Sequence, residues 1–114
     1  MVKIYHNPRC SKSRETLALL EAKGLTPEVV KYLDTPPTVA ELKRLLKALG
    51  IGPRDLLRTG EDDYKALNLA NPALSDTALV EAMVAHPKLI QRPIVVNGDK
   101  AALGRPPAAV LDIL

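Results

Sequence analysis

The chain has 114 residues, a length that suits one compact domain. Its residues are 46% apolar with 3 Tyr and neither Phe nor Trp, so the core must be aliphatic and the aromatic platforms that stack nucleic-acid bases are nearly absent. The net charge of +3 is a mild basic excess that fits a solvated surface or an anion-binding pocket, the one cysteine excludes an internal disulfide and a Cys-rich zinc site, and no apolar run is long enough to span a membrane.

Val2-Lys3-Ile4-Tyr5 reads as a short buried strand, with no signal-peptide anatomy before it, which leads to the expectation of a cytoplasmic protein. His6-Asn7-Pro8-Arg9-Cys10 is a loop, since Asn-Pro is a turn signal. A helix runs from about Ser11 to Lys23 and stops at Gly24. Glu28 to Leu33 is rich in β-formers and reads as a second strand. Thr38 and Glu41 make a capping box for a helix whose apolar stripe is Val39, Leu42, Leu45, Leu46 and Leu49, ended by Gly50. Shorter helices follow at Pro53–Leu57 and Glu61–Leu67, and Ser75 caps another that reaches about Ala85. Pro93–Val96 is a buried strand, Asn97-Gly98 is a hairpin signal whose loop Asp99-Lys100 can lengthen, and Ala101–Leu103 is the returning strand. Gly104-Arg105-Pro106-Pro107 leads into a short closing helix.

The order is β-α-β, a helical insert over about 36–87, then β-β-α. That is an α/β fold of the thioredoxin-like topology: one domain over 1–114, with a mixed four-stranded sheet and an enlarged middle. Such folds place a cis-proline where a loop enters the third strand, so a cis Arg92–Pro93 bond is expected. Fold alone gives no function, and the site must carry the argument.

Cys10 stands at the start of a helix, where backbone N–H groups and the helix dipole favour a thiolate. His6 lies four residues upstream, and Arg9, Lys12 and Arg14 are nearby cations. The competing reading is a small buried apolar residue, the common fate of a lone cysteine. Ser13 occupies the position of a second cysteine in a Cys-x-x-Cys pair and is expected to donate a hydrogen bond to the sulfur. The Cys-x5-Arg spacing of a phosphatase loop is absent, because Arg14 follows Cys10 too closely. Arg58 and Arg105 come from special loops, and Arg92 precedes the expected cis-proline. Each alone reads as a surface charge; converging on one thiolate, the three would hold a tetrahedral oxyanion.

His6-Asn7-Pro8-Arg9-Cys10-Ser11-Lys12-Ser13-Arg14, Arg58 followed by Tyr64, Arg92-Pro93-Ile94-Val95 and Gly104-Arg105-Pro106-Pro107 together resemble the glutaredoxin-dependent arsenate reductase family, and its short bacterial branch most closely. The resemblance implies that Cys10 is the catalytic nucleophile, helped by His6. It implies that Arg58, Arg92 and Arg105 bind arsenate; Ser13, from its place after Cys10, is expected as a further substrate contact, and Pro93, from the topology, is expected to shape the site. It further implies an arsenate reductase with glutathione as co-substrate and glutaredoxin as partner, whose mechanism needs no bound cofactor and no metal; the composition read above leads to the expectation of no nucleic-acid and no membrane partner. Two departures stand out: Cys10-Ser11-Lys12-Ser13 replaces a Cys-Gly-Thr-Ser motif, so Lys12 adds a cation near the sulfur, and the better-studied members extend further at the C-terminus. The rival readings are a non-enzymatic thiol switch or regulatory adapter on the same fold, and a reductase of another oxyanion or of a disulfide. A switch would have no need of three arginines.

Overall fold

Four short strands make the sheet of this protein, whose computed structural model describes residues 2–114. They are β1 (Val2–Tyr5), β2 (Glu28–Val30), β3 (Ile94–Asn97) and β4 (Lys100–Leu103), in the order β2-β1-β3-β4. β1 is parallel to β2 and antiparallel to β3, and β3 is antiparallel to β4, so the sheet is mixed as expected. Tyr5 pairs with Ile94 and Ile4 with Val95. The segment leaving β1 and the segment entering β3 therefore sit at the same end of the sheet.

The chain separates into two compact units, one running through Thr35 and resuming at Arg92–Leu114, the other Pro36–Gln91. The first holds the sheet, helix α1 (Ser11–Ala22) and a closing 3-10 helix, Pro107–Ile113, that packs on α1, β3 and β4. Its core is Ile4, Leu20, Val95 and Val110, all wholly buried. The buried face of α1 is Ser13, Thr16 and Leu20. It is polar near its start and apolar only further along, because its first turns face the loop from β1 rather than the core.

Two local bounds differ from the expectation, and the closing helix forms where it was expected. β2 ends at Val30 rather than Leu33, because the N–H groups of Asp34 and Thr35 both turn back to the carbonyl of Lys31 and take the chain off the sheet. The hairpin loop is Gly98-Asp99, inside the expected stretch 97–100, because each strand runs one residue further than expected. Asn97 stays in the ladder opposite Lys100, and its Nδ2 donates to the carbonyl of Ile113 at 2.7 Å. Gly98, at φ 65°, supplies the positive dihedral that a tight hairpin of this kind needs at its first position. The closing helix is 3-10 throughout.

The second unit is helical. α2 (Val39–Leu49) starts where Thr38 Oγ1 accepts from the Glu41 N–H at 3.1 Å, and ends in a left-handed Gly50. α3 (Pro53–Leu56), α4 (Asp62–Ala66) and α5 (Asp76–Ala85) follow, then a 3-10 turn at Pro87–Leu89. α5 packs on α2, α3 and that turn. Arg54 clamps the link between α4 and α5, donating to the carbonyls of Leu69 at 2.9 Å and Asn71 at 2.7 Å. Leu57 bridges Ile90 across the same unit. The buried apolar set of the described residues contains no ring but those of Tyr5 and Tyr32, so the core is aliphatic as its composition requires. Among the described residues no helix is long and apolar enough to cross a membrane.

Candidate active site

Cys10 is the N-cap residue of α1, with extended backbone angles, and is half-buried. Its own N–H donates to the carbonyl of Asn7 at 3.0 Å, which closes the loop and turns the sulfur over the helix start. Burial is the largest influence on the thiol and pushes its pKa up. That push is outweighed by the backbone N–H of Ser13, by the Arg92 guanidinium acting through both hydrogen bonding and charge, and by the backbone N–H of Lys12. The net result lies below the ordinary value of 9.0. The N–H groups act on the sulfur electrostatically, without the geometry of a full capping hydrogen bond. A helix start with an arginine beside it is an environment that turns thiol into thiolate.

His6 and Ser13 are both buried and meet directly, His6 Nδ1 to Ser13 Oγ at 2.6 Å. The Asn7 N–H also donates to Ser13 Oγ, at 3.0 Å. The hydroxyl has one proton and two acceptor sites: it donates to Nδ1 when a neutral His6 carries its proton on Nε2, and accepts from Nδ1 when the proton sits there. The pKa of His6 is lowered from the ordinary 6.5, first by burial and then by the charges of Lys31 and Arg14. Ser13 thus reaches the sulfur through its main chain, while its hydroxyl serves His6 and Asn7. His6 acts on the loop through Ser13.

A pH dependence follows. The folded state binds a proton at His6 less readily than the unfolded chain does, so this contribution to stability is complete above 6.5 and is lost as the pH falls below it. His6→Asn places an amide oxygen where Nδ1 stood and has no proton to gain. Thermal melts between pH 5 and pH 8 should show a smaller acid-side loss for this variant than for the wild type; parallel curves would exclude His6 as the source.

Arg92 and Pro93 complete this end of the sheet. The Arg92–Pro93 bond is cis, as the topology leads one to expect, and so is Arg105–Pro106. Arg105 is exposed, and its Nη1 donates to the carbonyl of Arg92 at 3.1 Å. The structure thus brings Cys10, His6, Ser13, Arg92, Pro93 and Arg105 into one neighbourhood of the first unit. Arg58 belongs to the second unit. Its N–H donates to the carbonyl of Leu89 at 2.7 Å, and its Nε lies 3.4 Å from Glu61 Oε1. Lys12 Nζ lies 3.9 Å from Glu15, on the exposed side of α1.

Two further residues shape the loop in ways the sequence alone did not assign to them. Asn7 is buried and uses its side-chain oxygen to accept the N–H of Arg9 at 3.0 Å. Arg14 donates to the carbonyl of Pro8 at 2.9 Å. The Asn-Pro turn signal pointed to Asn7, since this side chain forms such a turn with its own backbone. Among the described residues no His, Cys, Asp and Glu side chains gather as a metal-binding group.

The ArsC family model matches residues 5–113. The uncharacterized protein YfgD of Escherichia coli (strain K12) is 60% identical over 114 residues, covering 99% of this chain and 96% of its own length. An arsenate reductase of Haemophilus influenzae is 55% identical over 112 residues, 97% of each chain. Among solved structures, an arsenate reductase from Vibrio cholerae matches with a TM-score of 0.97 at 60% identity, over 99% of this chain and 97% of that one.

Proposed function

The chain belongs to the ArsC family, and on that premise we propose that it is a cytoplasmic arsenate reductase that works through Cys10 and draws its electrons from external thiols. The observation that carries this reading is the meeting of the Cys10 sulfur with the Arg92 guanidinium at the start of α1. One cation there does two tasks. It holds the sulfur as thiolate, and its planar fork suits a tetrahedral oxyanion delivered to that sulfur. Arg105, latched to the carbonyl of Arg92, adds a second fixed charge. Arg58 enters the reading from the family resemblance alone.

The chemistry runs in three steps. The Cys10 thiolate attacks arsenic, a sulfur–arsenic bond forms, and a protonated oxygen leaves as water. Glutathione then attacks this adduct; two sulfurs give up two electrons in becoming a mixed disulfide, and As(V) becomes As(III). Glutaredoxin reduces the mixed disulfide and returns Cys10 to its thiol. In sum, arsenic acid and two thiols become arsenous acid, one disulfide and one water. The sequence has a single cysteine, so the second thiol must come from another molecule. The bound species stays anionic through the first step, and arginines already in place need no reorganisation to stabilise it.

The test is NADPH consumption in the presence of arsenate, glutathione, glutaredoxin and glutathione reductase. Arsenate-dependent turnover is the expected result. Turnover that ran only with thioredoxin and its reductase would keep the reductase and overturn the donor. With neither system active on arsenate, the reading falls to its rivals, the thiol switch and the reductase of another oxyanion or of a disulfide.

A further inference from the structure

Gly104 directly follows β4, and its N–H donates to the carbonyl of Pro93 at 2.9 Å. Its φ lies outside the left-handed region, so the backbone at this position suits any residue. What is missing is room. A Cβ here would overlap Thr16 Oγ1, lie 2.7 Å from Pro93 Cγ and lie 3.1 Å from Thr16 Cγ2. Neither neighbour is free to step aside. Thr16 is wholly buried, with its hydroxyl donating to the carbonyl of Lys12 at 2.7 Å. Pro93 is a closed ring in a buried segment.

These two neighbours belong to the two elements that meet at the sulfur. Thr16 is tied to the first turn of α1, whose Lys12 and Ser13 N–H groups face Cys10. Pro93 is the residue after Arg92. The thickness of residue 104 therefore sets how near those two elements approach. We infer that Gly104 is a positioning residue for Cys10: its missing side chain lets the first turns of α1 and the Arg92–Pro93 segment close to the distance at which the guanidinium meets the sulfur. The inference rests on Cys10 being the reactive group proposed above; it does not depend on arsenate being the substrate.

Because the chain has one cysteine, its alkylation by iodoacetamide, followed by intact mass, reads Cys10 alone. In Gly104→Ala the pH profile of alkylation should move to higher pH. Well below the midpoint the rate should fall about tenfold per unit of that movement, while the plateau at high pH stays as in the wild type. A residue that only supported the fold would lower the melting temperature and leave this profile in place. The pair Gly104→Ala/Thr16→Ala removes the colliding γ atoms of Thr16 but keeps the contact with Pro93. It should fold and move the profile in the same direction by less, and it carries the test should the single variant fail to fold. A wild-type profile in either folded variant overturns the inference. Loss of the folded state in both overturns it as well, since Gly104 would then be a requirement of the fold. Arsenate takes no part in the measurement. A wild-type protein that alkylates no faster at neutral pH than an ordinary peptide thiol would instead defeat the reading of Cys10 as a thiolate.

Discussion

A Cys10→Ser protein is expected to lose arsenate-dependent turnover by about 10³-fold or more and to keep its fold. A serine hydroxyl ionises far above any working pH, and none of the groups around residue 10 makes up that difference. The same substitution should be harmless to structure. Residue 10 is the N-cap of α1 and its sulfur makes no capping hydrogen bond, whereas serine is among the preferred caps. The melting temperature should therefore hold or rise. The two readouts separate the two meanings of a lone cysteine. A packed apolar thiol would lose stability and leave turnover alone; a nucleophile does the reverse. Coupled NADPH consumption and a thermal melt on the same preparation decide it, and retained turnover would remove Cys10 from the mechanism.

Arg92→Ala should have the next largest effect, about 10²-fold or more in kcat/KM, with KM raised. The backbone N–H groups of Ser13 and Lys12 remain, but the sulfur loses the hydrogen bond and the charge of Arg92, which also lower its pKa, so the acid limb of the pH–rate profile moves up. The sign follows from the ionisation: the thiolate is the form present above the folded-state pKa, and raising that pKa shrinks its share at neutral pH. Arg105 holds the main-chain carbonyl of residue 92, which any side chain leaves in place, so its position should survive the change. Arg92→Lys separates charge from geometry. It should recover part of the acid limb and little of the KM, because an ammonium offers no planar fork. A pH profile identical to the wild type in Arg92→Ala would show that this guanidinium does not govern the thiolate.

Much of this site was legible because it is built from local signals with known mechanics. The thioredoxin-like order of elements implied the cis bond at Pro93, and the helix start implied an activated Cys10. Thr38, Gly50 and Ser75 were legible as caps because a cap depends on a few neighbouring residues. What escaped depends on partners distant in sequence. The hairpin loop is tighter than expected because Asn97 answers to Ile113 and to Lys100 in the β-ladder, which no turn preference reports. Ser13 looked like a donor to the sulfur, yet it stands beside a buried imidazole seven positions back and an N–H six back, and both claim its hydroxyl. Gly104 stood in the sequence as the first residue of the Gly-Arg-Pro-Pro motif, with nothing to tell its own role from that of the motif. Its meaning is a steric contact with a helix and a proline that only the folded chain brings together.

The Tyr5–Ile94 register has a consequence for how this chain tolerates changes in length. Cys10 and Arg92 hang from opposite strands of one antiparallel pair, so their alignment is counted in whole residues from that pairing. A substitution perturbs such an arrangement by fractions of an ångström. One residue inserted within Ile94–Val96 would slide everything before it by about 3.4 Å and exchange the two faces of the strand. The Gly98-Asp99 turn lies at the other end of the same strands, where an extra residue lengthens a loop and leaves the pairing at Ile94 untouched. Insertions and deletions should therefore accumulate at the hairpin end of this sheet and be purged at the cysteine end, even where both ends accept point changes.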